Sequence, residues 1–209
     1  MAESSAAQLS TDEQKVSYGF GLQFGDQLRK NQFEGMDIDA VVAGIRDWFN
    51  TGESALSDED LNPAYQAIQA KQQAKQAQQS AAQNAVADQF MTQNAARDGV
   101  TTTDSGLQYE VLEAGDGNSP TRDSTVVVHY HGTFIDGSVF DSSIQRGEPA
   151  TFGVTQVIPA WTEALQLMSV GDKWRVFAPP HLAYGEQGAG GVIPPNTALI
   201  FEVHLIDIQ

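Results

Sequence analysis

His129 and His131 stand two residues apart in an alternating run and so share one face of a strand, an arrangement that could hold a metal ion. No third ligand has a matching spacing. A face histidine satisfied by a hydrogen bond is the competing reading, and no metal site is expected. Asp141-Ser142-Ser143 offers hydroxyls, but there is no Gly-x-Ser-x-Gly elbow and no motif that places a histidine beside them. Gly185, Gly188, Gly190 and Gly191 form a flexible loop without a dinucleotide or Walker pattern. Pro194-Pro195 follows where a phosphate-binding helix would have to start. Hydrolytic, nucleotide and metal chemistry are thereby set aside, and no cofactor is expected. What remains is aromatic: Tyr130, Phe140, Phe152, Trp161, Tyr184 and Phe201. Such side chains ordinarily build a core. Trp161, however, falls in the first turn of a short predicted helix, and Tyr184 opens the glycine loop. Element ends are where concave apolar pockets form.

Two kinds of element must position these residues. Up to about residue 100 the sequence reads as helix. Val16, Phe20, Phe24 and Leu28 recur every four residues. Ile38, Val41, Val42, Ile45, Trp48 and Phe49 form an amphipathic stripe, with Asp37 and Asp39 at its start and Gly52 as a stop. A third helix begins near Ser57, as N-cap, or near Asn62, with Pro63 then at the first helical position. From Ala64 to Ala87 it holds 9 Ala and 8 Gln in 24 residues, a composition with strong helix propensity and no wide apolar face. Such a helix spans between domains or pairs through a narrow seam. Over residues 62–97 it would extend on the order of 54 Å.

After Asp98-Gly99 the period changes from helical to two. Leu107, Tyr109 and Val111 alternate, as do Val126, Val128 and Tyr130, and again Leu199, Phe201, Val203 and Leu205. Asp136-Gly137 is a turn signal. One short helix interrupts the strands: Pro159 opens it, Trp161, Ala164, Leu165 and Met168 line one side, and Gly171 ends it. Strands with one short helix imply an α+β domain over 101–209, preceded by an all-α domain over 1–100. The helices before residue 60 make a poor core by themselves, so this half is expected to form a homodimer.

Composition narrows the partners. The 209 residues carry a net charge of −16, spread as −7 over residues 1–100 and −9 over 101–209. Nucleic acid and anionic membrane surfaces are excluded as partners, because both require a basic patch. Cysteine is absent, which removes disulfides and thiolate chemistry. No apolar run reaches the roughly 20 residues that cross a bilayer. The first twelve residues contain no signal-peptide pattern, so a cytoplasmic location is expected, with a periplasmic one as the alternative if Met1 replaces a removed leader.

Five segments then carry a resemblance. Val128-His129-Tyr130-His131-Gly132, Asp136 through Ser143, Val157 through Trp161, Leu182-Ala183-Tyr184-Gly185, and Ile193-Pro194-Pro195 with Leu199 to Val203 follow one another as in the FKBP-type peptidyl-prolyl cis-trans isomerases. They cover nearly all of residues 105–209. The stretch from Val16 to Gly25, with the long helix, resembles the bacterial subgroup that has a helical dimerisation arm. The resemblance implies a curled antiparallel sheet wrapped around the short helix. It also implies a pocket in which Asp141, Tyr184, Phe140 and Trp161 are catalytic. Tyr130, Arg146, Val157, Ile158, Val192, Ile193 and Phe201 would bind substrate or inhibitor, with Trp161 as the floor. Ala150, Ala160 and Ala189 depart from residues common in the family. Expected partners are proline-containing polypeptides, the macrolides FK506 and rapamycin, and a second copy of the chain in a V-shaped homodimer with chaperone-like client binding. The rival expectation is a non-catalytic peptide-binding chaperone or scaffold that uses the same pocket.

Overall fold

A computed structural model describes residues 9–209. Its first helix, α1 (Asp12–Lys30), starts at Thr11, whose hydroxyl accepts from the Gln14 N–H at 3.2 Å while the Gln14 side chain accepts from the Thr11 N–H. This is a reciprocal capping box. Helix α2 (Ile38–Thr51) is capped by Asp37, which accepts from the Asp39 and Ala40 N–H groups, and it stops at Gly52 in the left-handed region, φ 69°. Helix α3 (Asp58–Ala95) starts at Ser57, the earlier of its two predicted caps. The Ser57 hydroxyl donates to Asp60 at 2.6 Å and accepts from the Asp60 N–H at 3.3 Å. That bonding outweighs Pro63, which ends up inside the helix, where its missing N–H forgoes one ladder hydrogen bond.

The apolar stripes of α1 and α2 lie where the periodicity puts them, yet no described residue of either helix is buried. Phe49 is 87% exposed and Trp48 66%, and Val16, Phe20, Phe24 and Ile38 are each more than half exposed.

The second half is a seven-stranded antiparallel sheet: β1 (Val100–Thr102), β2 (Gln108–Glu113), β3 (Thr125–Phe134), β4 (Val139–Ser142), β5 (Ala150–Gly153), β6 (Lys173–Ala178) and β7 (Leu199–Ile208). The order is β1-β2-β6-β7-β3-β4, with β5 also paired to β3. Inward residues Val126, Val128 and Tyr130 of β3 are buried, as are Leu199, Phe201, Val203 and Leu205 of β7, as the period of two predicts. Helix α5 (Pro159–Leu167) packs Ala160, Trp161, Ala164 and Leu165 into the same core. This is the expected α+β architecture. Gly137, φ 85°, closes the β3–β4 turn at the predicted Asp136-Gly137.

Two details differ from the sequence reading. Helix α5 ends at Leu167, not at Gly171. Met168 turns extended, and Asp172 then accepts from the Ser169 N–H at 2.7 Å, so Gly171 (φ 96°) serves the turn into β6. A further one-turn helix, α4 (Ser143–Arg146), follows β4 and is too short to leave a periodic signal.

The outer face of the sheet has a smaller core of its own. Ala87 and Met91 of α3 pack with Phe177 and Ala198. Asn94, buried, donates to Gln108 at 2.8 Å, and Gln108 donates to the Met91 carbonyl at 2.9 Å. By compactness the chain therefore divides within α3, with one unit ending at Ala74 and the other running Lys75–Gln209, whereas the change of period falls near residue 100. Sequence period marks the type of element, not the partner it packs on.

Candidate active site

The site lies where β3 changes partner along one edge. Its residues Thr125–Val128 pair with β5, and His131–Thr133 pair with β4. Between them α4 fills the gap. The Tyr130 N–H donates to the Ser143 hydroxyl at 2.8 Å, and that hydroxyl reaches the Tyr130 carbonyl at 3.2 Å, so both Tyr130 backbone groups are paired at the break. His129 Nδ1 lies 3.1 Å from the same Ser143 hydroxyl, and His131 Nδ1 lies 3.0 Å from Ser142. Both histidines are thus hydrogen-bonded to serines. Ser142 caps α4 by accepting from the Gln145 N–H at 3.2 Å, and Gly147 (φ 81°) ends it. This tight turn brings Arg146 back onto Asp141.

Above the break is a cavity of about 410 Å³. Trp161, 5% exposed, meets Tyr130, Phe152 and Phe201 edge to face, with ring centroids 5.3, 5.8 and 5.4 Å away. Phe140 stands edge to face on Phe201 at 5.5 Å. It can lie across β3 because residue 132 is glycine; a Cβ there would stand 2.6 Å from the Phe140 ring. Val157, Ile158 and Gln156 form a further wall, and Tyr184 the rim. The walls are apolar and the polar groups are few, as in a small-molecule or peptide site.

Those polar groups form one chain. Tyr130 donates its phenol proton to Asp141 at 2.5 Å, Arg146 donates to the Tyr130 oxygen at 2.8 Å, and Arg146 also pairs with Asp141. Partial burial pushes the Asp141 carboxyl up, but the hydrogen bonds from Tyr130 and Arg146 outweigh it and hold it below the ordinary carboxylate range. Burial, and then the Asp141 hydrogen bond, raise the Tyr130 phenol. Burial and the neighbouring Asp141 charge raise Tyr184 as well. Tyr184 therefore stays protonated at neutral pH, and its hydroxyl has no hydrogen-bond partner among the described residues, so the proton is available to a ligand.

Of the residues singled out in the sequence, Tyr130, Phe140, Asp141, Val157, Ile158, Trp161, Tyr184 and Phe201 line this one cavity. Arg146 sits at its edge through Asp141. Ile193 is buried in the core beneath the rim. Val192 is not brought to the cavity. It is 60% exposed and lines a different hollow on the far side of the rim loop. Ala189 and Ile193 exchange backbone hydrogen bonds at 2.9 Å, and Val192 lies in the tight turn that this bridge closes, its N–H donating to the Ala189 carbonyl at 3.0 Å. Phe152 has no site role in the sequence reading, and Gln156 is not marked there. Phe152 was legible as one of the aromatic set, whereas a single glutamine after a turn carries no pattern.

Residues 117–206 match the family model described as FKBP-type peptidyl-prolyl cis-trans isomerase, and residues 13–111 match the domain amino terminal to it. The chain is 46% identical over 198 residues to the FKBP-type 22 kDa peptidyl-prolyl cis-trans isomerase of Escherichia coli, covering 95% of this chain and 96% of that protein. It is 41% identical over 213 residues to the outer membrane protein MIP of Legionella longbeachae, covering 100% and 91%. The crystal structure of FkpA from Escherichia coli superimposes with a TM-score of 0.69 at 38% identity, covering 96% of this chain and 98% of that one.

Proposed function

Since the chain belongs to the FKBP-type peptidyl-prolyl cis-trans isomerases and accelerates rotation about X–Pro bonds, we propose that it does so in the cavity above Trp161. The observation that carries this is an aromatic, apolar floor with one ionised carboxylate and one unpaired phenol donor at its edge.

Rotation about X–Pro is slow because amide resonance must be broken, a barrier of about 18–20 kcal/mol. No bond to carbon is made or cut, so no nucleophile is needed. A planar amide carries more charge separation than a twisted one, so an apolar pocket disfavours the planar ground state relative to the twisted form. Each ~1.4 kcal/mol of that difference is a factor of ten in rate. The proline ring stacks over Trp161 between Phe140, Phe201 and Ile158. Tyr184 donates to a substrate carbonyl. Asp141, kept ionised by Tyr130 and Arg146, stands beside the twisting carbonyl, whose carbon becomes electron-poor as the nitrogen lone pair leaves conjugation. Tyr130 and Arg146 act through Asp141 as positioning residues.

Isomerisation of a short X–Pro peptide, followed with and without FK506, tests the assignment. Catalysis abolished by the macrolide supports the cavity as the site. A folded, macrolide-binding protein without turnover would leave a peptide-binding pocket and no enzyme in it.

The exposed stripes of α1 and α2 support a homodimer through these helices. Two pockets on one dimer would hold an unfolded client at two points and raise its effective concentration, a chaperone-like action. A periplasmic location is better supported than the cytoplasmic one expected from the sequence, because a close relative is an outer membrane protein. Recovery of the native protein with the cytosolic fraction would reverse that placement.

A further inference from the structure

One seam of α3 changes chemistry along its length. Its later positions, Ala87, Met91 and Asn94, are buried on the sheet. Earlier positions of the same helical stripe, Gln76, Gln79 and Gln83, face the rim loop instead and line two adjoining hollows of about 480 and 390 Å³. Gln83 and Pro194 belong to both, so the hollows form one groove. The Ala/Gln composition of this stretch is not used by the isomerase chemistry.

Three observations identify an occupant. First, the groove adjoins the substrate cavity. Phe134 lines the groove, Phe140 lines the cavity, and the two rings touch with centroids 5.2 Å apart. Second, among the described residues Asp136 is the one charged side chain lining the groove, and it already accepts from Ser138 at 2.6 Å, so the surface does not select a charged ligand. Third, Asn196 lines the groove at 4% exposure, in a left-handed conformation (φ 54°), and its side-chain amide has no hydrogen-bond partner among the described residues. Its amide atoms are not sealed from solvent, so they are open to pair with a ligand. Primary amides each donate and accept, as a polypeptide backbone does.

We propose that this groove between α3 and the rim loop binds the stretch of client chain flanking the X–Pro bond, in extended form and through its backbone. The proposal rests on the cavity above Trp161 holding the proline. The two tilted rings separate cavity from groove by on the order of 10 Å, a distance that roughly three extended residues span. A tetrapeptide therefore fills the cavity alone, and a longer client reaches the groove from it. Backbone recognition by neutral amides is independent of sequence, which suits an enzyme acting on many unfolded chains.

The test compares labelled X–Pro peptides of four and about twelve residues, extended on either side of the proline, by fluorescence anisotropy and turnover. The variants are Gln79→Ala with Gln83→Ala, which raises helix propensity, and Asn196→Gly, which keeps the backbone angle. Wild type is expected to bind the long peptide more tightly than the short one. Each variant should lose about threefold to tenfold in affinity for the long peptide and nothing on the tetrapeptide. Equal affinity of wild type and variants for the long peptide overturns the proposal, and so does an equal loss on both lengths. If the double variant becomes monomeric while the length dependence survives, the groove is an interface between copies. Tetrapeptide turnover by the wild type reports the isomerase reading separately, since the length dependence of binding stands or falls without it.

Discussion

The two compact units bury their apolar residues on different terms. The unit from Lys75 onward pairs the backbone at the break in β3, packs both faces of its sheet, and leaves unpartnered polar groups at its cavity and groove. The unit ending at Ala74 has sound local structure, with a capping box on α1, an Asp cap on α2 and a glycine stop, yet it fully buries no residue of its apolar stripes. Helix signals are local and can be complete in a chain that still lacks a core. Burial is not local, and here it requires another surface.

The sharpest way to break this contrast is to substitute Trp48→Glu together with Phe49→Glu. Burial of such a side chain stabilises by roughly 1.5–3 kcal/mol, and a dimer would bury four, so about 6–12 kcal/mol of association is at stake. The wild type is expected to sediment as a dimer with a concentration-dependent Tm, and the double variant as a monomer. Tetrapeptide turnover should be unchanged, because neither residue belongs to the unit that holds the cavity. A wild type that sediments as a monomer would show that α1 and α2 remain uncovered in solution.

Trp161→Ala makes the matching test in the other unit. It removes the cavity floor and three edge-to-face contacts, at a cost of about 3–5 kcal/mol for a buried aromatic. The expected result is a folded protein with a Tm lowered by several degrees, an unaltered dimer and at least a tenfold loss of kcat/KM. Wild-type turnover in the folded variant would remove Trp161 from the site.

Much of this was legible in the sequence, for identifiable reasons. Period two in β3 and β7 reports a sheet with one buried face, and Pro159 fixes the start of α5 whatever packs around it. The aromatic set and Asp141 carried the site through their order along the chain. What escaped depends on contacts between distant segments. The side of the rim loop on which Val192 falls is set by the Ala189–Ile193 bridge, which no periodicity announces. The start of α3 was decided by hydrogen bonds between Ser57 and Asp60, against the strong signal of Pro63. The turn at α4, which returns Arg146 to Asp141, is too short for any pattern.

The smallest expected effect concerns the charge at the edge of the cavity. Asp141 is half-exposed, so its ion pair is screened by solvent, and Asp141→Asn should cost roughly tenfold in kcat/KM or less. The pH profile distinguishes its role. The folded-state pKa of Asp141 is held below the ordinary value, so its contribution to stability and rate is fully present above about pH 4 and is lost as the pH falls through the lower, folded value. Tyr184 is raised, so its phenol still donates beyond pH 10. The wild-type kcat/KM on a tetrapeptide is therefore expected to be flat from about pH 5 to 9, as far as these two groups decide it. Asp141→Asn should run parallel and lower, and the two curves should converge below about pH 4, where the wild-type carboxylate takes up its proton. A wild-type midpoint that lies between pH 5 and 8 and vanishes in Asp141→Asn would mean that Tyr130 and Arg146 do not hold the carboxylate ionised. Convergence at the acid end, with the fold intact by circular dichroism, would tie the rate to the charge itself and not to the shape of the side chain.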